Sequence, residues 1–103
     1  MYNMSDIKSV IIKKSEQPTK RYMAIFTREN GRTKTVNFGS KGANTFIDGA
    51  GDKVKKAWEA RHRVREDWNN PITAGSLAKH ILWGDSENVS KNVVAFKKKF
   101  NLK

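Results

Sequence analysis

Apolar and polar positions follow two different periods along this chain, short β-type runs up to about residue 40 and helical spacing from about residue 53 onward. Residues 6–14, DIKSVIIKK, are dense in β-branched side chains and close on lysines, the composition of a strand. After a loop from Ser15 to Thr19 that contains Pro18, the stretch RYMAIFTRENGRTKTVNFG carries Asn30-Gly31, the preferred pair for a two-residue type I′ hairpin turn. Centring the hairpin on that pair sets Ile25 opposite Val36 and Met23 opposite Phe38, so that these four share one face. Tyr22, Ala24, Phe26 and Arg28 then face the other way, against Thr33, Thr35 and Asn37.

Gly39, Gly42, Gly49 and Gly51 make residues 39–51 mostly loop, with neither the GxGxxG nor the GxxxxGK[ST] spacing of a phosphate-binding loop. Asp52 is placed to cap a helix over residues 53–67. In that helix Val54, Ala57, Trp58, Ala60, Val64 and Trp68 fall on one arc, expected to face the sheet. Lys55, Lys56, Glu59, His62, Arg63 and Glu66 take the opposite face, with Glu59 and Arg63 as an i,i+4 pair. Pro71 forces a break after Trp68, and Thr73 is the N-cap of a short helix with the stripe Ala74, Leu77, Ala78, Ile81 and Leu82. Ile72 and Leu77 stand where a hydrophobic staple sits, and Gly84 where a left-handed C-cap sits. Trp83 falls on the polar side of this helix near Lys79 and His80, with the last helix expected to fold over it. That last helix, residues 87–100, starts at Asp85 or Ser86 and stacks Val89, Val93, Phe96 and Phe100 on one side. Lys97, Lys98 and Lys99 in its final turn complement the helix dipole.

The predicted architecture is α+β: a three-stranded antiparallel sheet containing a β-hairpin, followed by three α-helices packed on one face. At 103 residues the chain reads as one domain, residues 1–103.

Charge changes the picture most. Lys plus Arg number 21 against 10 Asp plus Glu, a net +11, and the excess is spread over both halves of the chain. With 37% hydrophobic residues the chain still folds, so this is a basic domain rather than a disordered polycation, and its expected partner is a polyanion. The absence of cysteine excludes disulfides, thiolate chemistry and cysteine-ligated metals. No apolar run reaches the length of a membrane span and no signal-peptide pattern opens the chain, so secretion is not expected.

Candidate chemistry is thin. His62 and His80 lie on different helices without a third ligand at metal-binding spacing, and the carboxylates are spaced singly apart from Glu66-Asp67. A metal-dependent nuclease built from a hairpin and a helix needs a histidine with an Asn or His partner, and here Phe38 and Gly39 close the hairpin instead. No enzyme activity, metal or cofactor is expected. Tyr22 and Phe26 beside Arg28 and Lys34 form either a stacking platform on the hairpin or a face covered by other elements. Arg61 and Arg65 lie in or beside the apolar arc, either packing their stems on tryptophan or held as bidentate phosphate clamps.

Several motifs together resemble a known group. Val36 to Gly39 closes a hairpin on FG, Ala60 to Arg63 reads ARHR, and Trp68 to Trp83 reads W-N-x-P-x-T-A-G-x-L-x-x-x-I-L-W. Lys97 to Leu102 reads KKKFNL. From about residue 7 onward the chain resembles a group of small basic proteins encoded by large DNA viruses of algae and amoebae. The group carries no assigned activity and therefore brings no functional residues. What the resemblance implies is a viral setting, in the virion or in the cytoplasm or nucleus of the infected host cell.

The expected function is non-enzymatic nucleic-acid binding, DNA rather than RNA, through phosphate contacts with weak sequence preference. Its candidate contacts are Lys14, Lys20, Arg21, Arg28, Arg32, Lys34, Lys41, Arg61, Arg63, Arg65, Lys97 and Lys98. The alternative is a minor structural, capsid-associated virion protein whose basic surface meets acidic protein neighbours or packaged genome.

Overall fold

The structure, a computed structural model, describes residues 6–103. Strands β1 (Ile7–Lys14), β2 (Lys20–Arg28) and β3 (Thr33–Ser40) form an antiparallel sheet in the order β1-β2-β3. Three helical segments follow, as expected. α1 is Asp52–His62, α2 is Ala74–Leu77 running directly into a π-helical turn at Ala78–Leu82, and α3 is Val89–Lys99.

The hairpin register differs from the expected one by one residue. Ala24 lies opposite Val36 and Tyr22 opposite Phe38, while Ile25 meets Thr35 and Met23 meets Asn37. The loop holds three residues, Glu29-Asn30-Gly31, rather than two. Gly31 N–H donates to the Arg28 carbonyl at 2.9 Å, Arg28 N–H donates to the Arg32 carbonyl at 2.8 Å, and Gly31 takes φ +86°. This is the three-residue hairpin loop in which a glycine in the left-handed region follows a type I turn. The Asn30 side chain closes it by accepting from Arg32 N–H at 3.0 Å. One added loop residue exchanges the two faces of the ribbon. The core face is accordingly Val10, Ala24, Phe26 and Phe38, all buried, with Ile12, Tyr22 and Val36 packed beside them. Ile11, which β1 pairs with Ile25 on the other face, is 59% exposed.

α2 and the π turn supply the centre of the helical layer, with Leu77, Ile81, Leu82 and Trp83 buried against the sheet. Thr73 caps α2 as expected, accepting from Ser76 N–H at 3.1 Å. Trp83 N–H donates to the Ala78 carbonyl at 2.9 Å, the wide i→i+5 bond of a π turn. Gly84 does not adopt the expected left-handed C-cap. A Cβ there would stand 2.3 Å from the His80 carbonyl oxygen and 2.7 Å from Asn92 Cγ, so glycine is required by close packing instead.

α1 departs furthest from its expected orientation. None of its residues is fully buried, and Val54 and Val64 of the expected inward arc are 46% and 81% exposed. The face that docks carries Lys55, Trp58 and Glu59. Trp58 stacks on Trp83 at 5.2 Å, Lys55 Nζ donates to the Gly84 carbonyl at 2.7 Å, and Glu59 pairs with Lys79 at 2.9 Å rather than with Arg63. The helix begins with Gly51 as N-cap and Asp52 inside its first turn, and it ends at His62 instead of residue 67. Trp68 stacks near-parallel on Trp58 at 6.0 Å. A straight helix would carry residue 68 about 15 Å along its axis from residue 58, so that stack requires the helix to end early.

α3 starts two residues later than expected, at Val89 rather than residue 87, with Asn88 as N-cap accepting from Lys91 N–H at 3.0 Å. Phe96 is buried, while Val89, Val93 and Phe100 pack against the core. Its C-terminus closes in a Schellman arrangement. Leu102 N–H donates to the Lys97 carbonyl at 2.8 Å, Asn101 N–H to the Lys98 carbonyl at 3.3 Å, and Asn101 takes φ +55°. Leu102 is thereby turned into the core, and Lys103 exchanges backbone hydrogen bonds with Lys8 and Val10 along the outer edge of β1.

Candidate nucleic-acid interface

The segment after β3 is glycine-punctuated yet firmly tied down. Asp48, at the end of a 3-10 turn (Phe46–Asp48), accepts from Thr45 N–H at 2.9 Å and from the Thr45 hydroxyl at 2.8 Å. Arg21 of β2 grips the same carboxylate bidentately, Nη1 to Oδ2 at 2.6 Å and Nη2 to Oδ1 at 3.0 Å. The guanidinium and the Thr45 donors hold the Asp48 carboxyl well below the usual carboxylate range, and that bond in turn raises Arg21 above its ordinary value. Thr45 itself is buried. Residues 41–48 are thus a fixed wall attached to the sheet.

Two clefts share residues Ala43 and Asn44 of that wall. The first, about 580 Å³, is lined by Lys14, Arg21, Tyr22, Lys41, Gly42, Ala43, Asn44 and Asp48. The second, about 440 Å³, is lined by Trp58, Arg61, His62, Glu66 and Trp83 together with Ser40, Ala43, Asn44 and Thr45. Trp58 sits in a set of near-parallel rings, with His62 stacked on it at 4.3 Å. Glu66 is engaged, 3.5 Å from His62 Nδ1 and 3.4 Å from the Trp68 indole N–H. A third cleft of about 320 Å³ lies between Lys79, His80, Asn92, Phe96 and Lys99. There His80 Nε2 bonds to the Trp68 carbonyl at 2.8 Å, and burial pushes the imidazole below its ordinary pKa.

The candidate cations are divided among several parts of the surface. Lys14, Arg21 and Lys41 share the first cleft, and Arg61 borders the second. Half-buried Lys20 lies one residue before Arg21 at the start of β2. Arg28, Arg32 and Lys34 gather at the hairpin turn, about 20 Å along β2 from Tyr22. Arg63 and Arg65 are exposed just beyond α1, and Lys97 and Lys98 end α3. Arg21 is spent on Asp48. Lys14, Lys20, Arg32, Lys34, Lys41, Arg61, Arg63, Arg65, Lys97 and Lys98 have no carboxylate within ion-pair distance among the described residues. Arg61 and Arg65 are exposed, and no neighbouring side chain among the described residues fixes their guanidinium groups.

Of the two aromatic residues expected to decorate the hairpin, Phe26 is wholly buried in the core, whereas Tyr22 remains half-buried and lines the first cleft. The loop residues Gly42, Ala43 and Asn44, and the pairing of Trp58 with His62 across one helical turn, were not legible as site components. The WxxxH spacing from Trp58 to His62 is the one signal in the sequence that could have marked them.

The fold and these clefts define a small α+β protein with a basic, partly aromatic groove region. The chain belongs to the family of unknown function DUF5754, which matches residues 10–62. It is also 34% identical over 88 residues to the uncharacterized protein L851 of Acanthamoeba polyphaga mimivirus, an overlap spanning 80% of this chain and 85% of that protein. This kinship bears out the expected relation to proteins of large DNA viruses. No solved structure matches.

Proposed function

We propose that this protein is a non-enzymatic nucleic-acid-binding protein of a large DNA virus of algae or amoebae, binding DNA in preference to RNA. It holds its ligand mainly through phosphates and with weak sequence preference. The observation that carries the reading is that ten of the candidate cations have no carboxylate within ion-pair distance among the described residues, on a folded domain of net charge +11. Weak sequence preference follows from their distribution. They stand at strand ends, on loops and a hairpin turn and at helix ends, positions that reach phosphates, rather than along one helix face that could enter a major groove.

A fluorescence-anisotropy titration of the protein against labelled DNA, single-stranded and duplex, at about 50 mM salt tests this directly. Micromolar or tighter binding of either form is expected. Absence of binding to both would overturn the proposal and favour a structural virion protein with acidic protein neighbours.

A further inference from the structure

We propose that the two clefts flanking residues 41–45 are halves of one groove for a single strand of nucleic acid. The inference rests on the nucleic-acid reading above and specifies the form of the ligand. Ala43 and Asn44 line both clefts, so only the thickness of this loop separates them. The loop is held in place by the Arg21–Asp48–Thr45 network, which makes the groove preformed rather than assembled on binding.

Each half combines a cation with an aromatic ring that is not fully buried. Lys14 and Lys41 stand with Tyr22 in the first, and Arg61 stands with His62 stacked on Trp58 in the second. That is the composition of single-strand sites, where cations follow the backbone and bases stack on side chains. The carboxylates lining the groove are both engaged, Asp48 by Arg21 and Glu66 by His62 and Trp68, which limits their repulsion of phosphate. Concave clefts of this size admit a base and its sugar. A duplex presents its bases stacked and paired inside and would have to unstack one to fill either half. The strand therefore crosses the loop with a base on each side, phosphates toward Lys14, Lys41 and Arg61, and one base continuing the stack from the outer face of His62, whose side chain is 42% exposed.

The test compares a labelled oligothymidylate of about 15 nucleotides, within the span such sites occupy, with a duplex of equal length. Wild type is measured beside a double variant Lys14→Gln/Lys41→Gln and a control Lys8→Gln/Lys91→Gln, which removes the same charge from exposed positions outside the groove. Circular dichroism verifies folding of each. Wild type is expected to bind the single strand about tenfold or more tighter than the duplex, as one stacked base provides. The groove variant should lose about tenfold in single-strand affinity and the control no more than about threefold. Equal or tighter duplex binding, or equal losses in the two variants, would overturn the groove while leaving nucleic-acid binding standing. Failure to bind either oligonucleotide would remove both.

Discussion

Trp58 stacks on Trp83 with ring centroids 5.2 Å apart and planes 15° from parallel. Because α1 contains no fully buried residue, this contact is its chief apolar attachment, reinforced by Lys55 on the Gly84 carbonyl and by Glu59–Lys79. Trp58→Ala is expected to destabilise the protein by about 2–4 kcal/mol and to release α1 ahead of the sheet. Hydrogen exchange across residues 52–62 should quicken more than in β2. Unchanged exchange in α1 would show that the polar contacts suffice.

The hairpin register makes opposite demands on its two faces. Phe26→Ala or Phe38→Ala empties a fully buried position and should cost about 3–5 kcal/mol. Ile11→Thr, on the open face, should cost less than about 1 kcal/mol. Chemical denaturation checks the order, and a larger loss at Ile11 than at Phe26 would restore the two-residue turn.

Asn92 is buried and ties together the loop between the π turn and α3. Its amide donates to the Ile81 carbonyl at 2.9 Å and the Ser86 carbonyl at 2.7 Å, and its oxygen accepts from Ser86 N–H at 3.0 Å. Asn92→Ala leaves these groups without partners and should cost about 2–4 kcal/mol. Asn92→Asp, which loses both donors and sets a carboxylate against two carbonyl oxygens, should be no better. A denaturation midpoint unchanged in Asn92→Ala would mean that water replaces the side chain at no cost.

His80 gives stability a dependence on pH. Burial lowers its pKa, the Trp68 carbonyl opposes that shift, and the neighbouring charges Lys79 and Lys99 lower it while Asp85 raises it. The folded state therefore prefers the neutral ring. This contribution is complete above the ordinary value of 6.5 and is lost as pH falls from there through the depressed folded value. Denaturation between about pH 7.5 and about pH 5 should show declining stability that is reduced in His80→Gln, whose amide can still donate to the Trp68 carbonyl. An identical pH profile in the variant would place the dependence elsewhere.

Strand positions, the Thr73 cap and the α3 stripe were legible because each depends on local rules: β-branched runs, a side chain capping its own helix, and one strong apolar period. The faces of β2 and β3 were not, because Asn30-Gly31 suits both a two-residue turn and the last two positions of a three-residue loop, and a single residue decides parity. α1 misled for a different reason. Its aliphatic residues are small or exposed, and a single indole with two ion-forming side chains outweighs them, a docking mode with no periodic signature. The clefts were hidden because their shape comes from Arg21 reaching Asp48 across 27 positions of sequence. Composition identified the cations but not which of them is neutralised.

If phosphate contacts hold the ligand, as proposed, the salt dependence of affinity measures this most directly. With about five engaged of the ten candidate cations that lack a carboxylate partner among the described residues, log K against log salt should fall with a slope of about −4.5 on duplex DNA and about −3.5 on a single strand. Affinity that barely changes with salt, or binding absent at low salt, would contradict binding through phosphates.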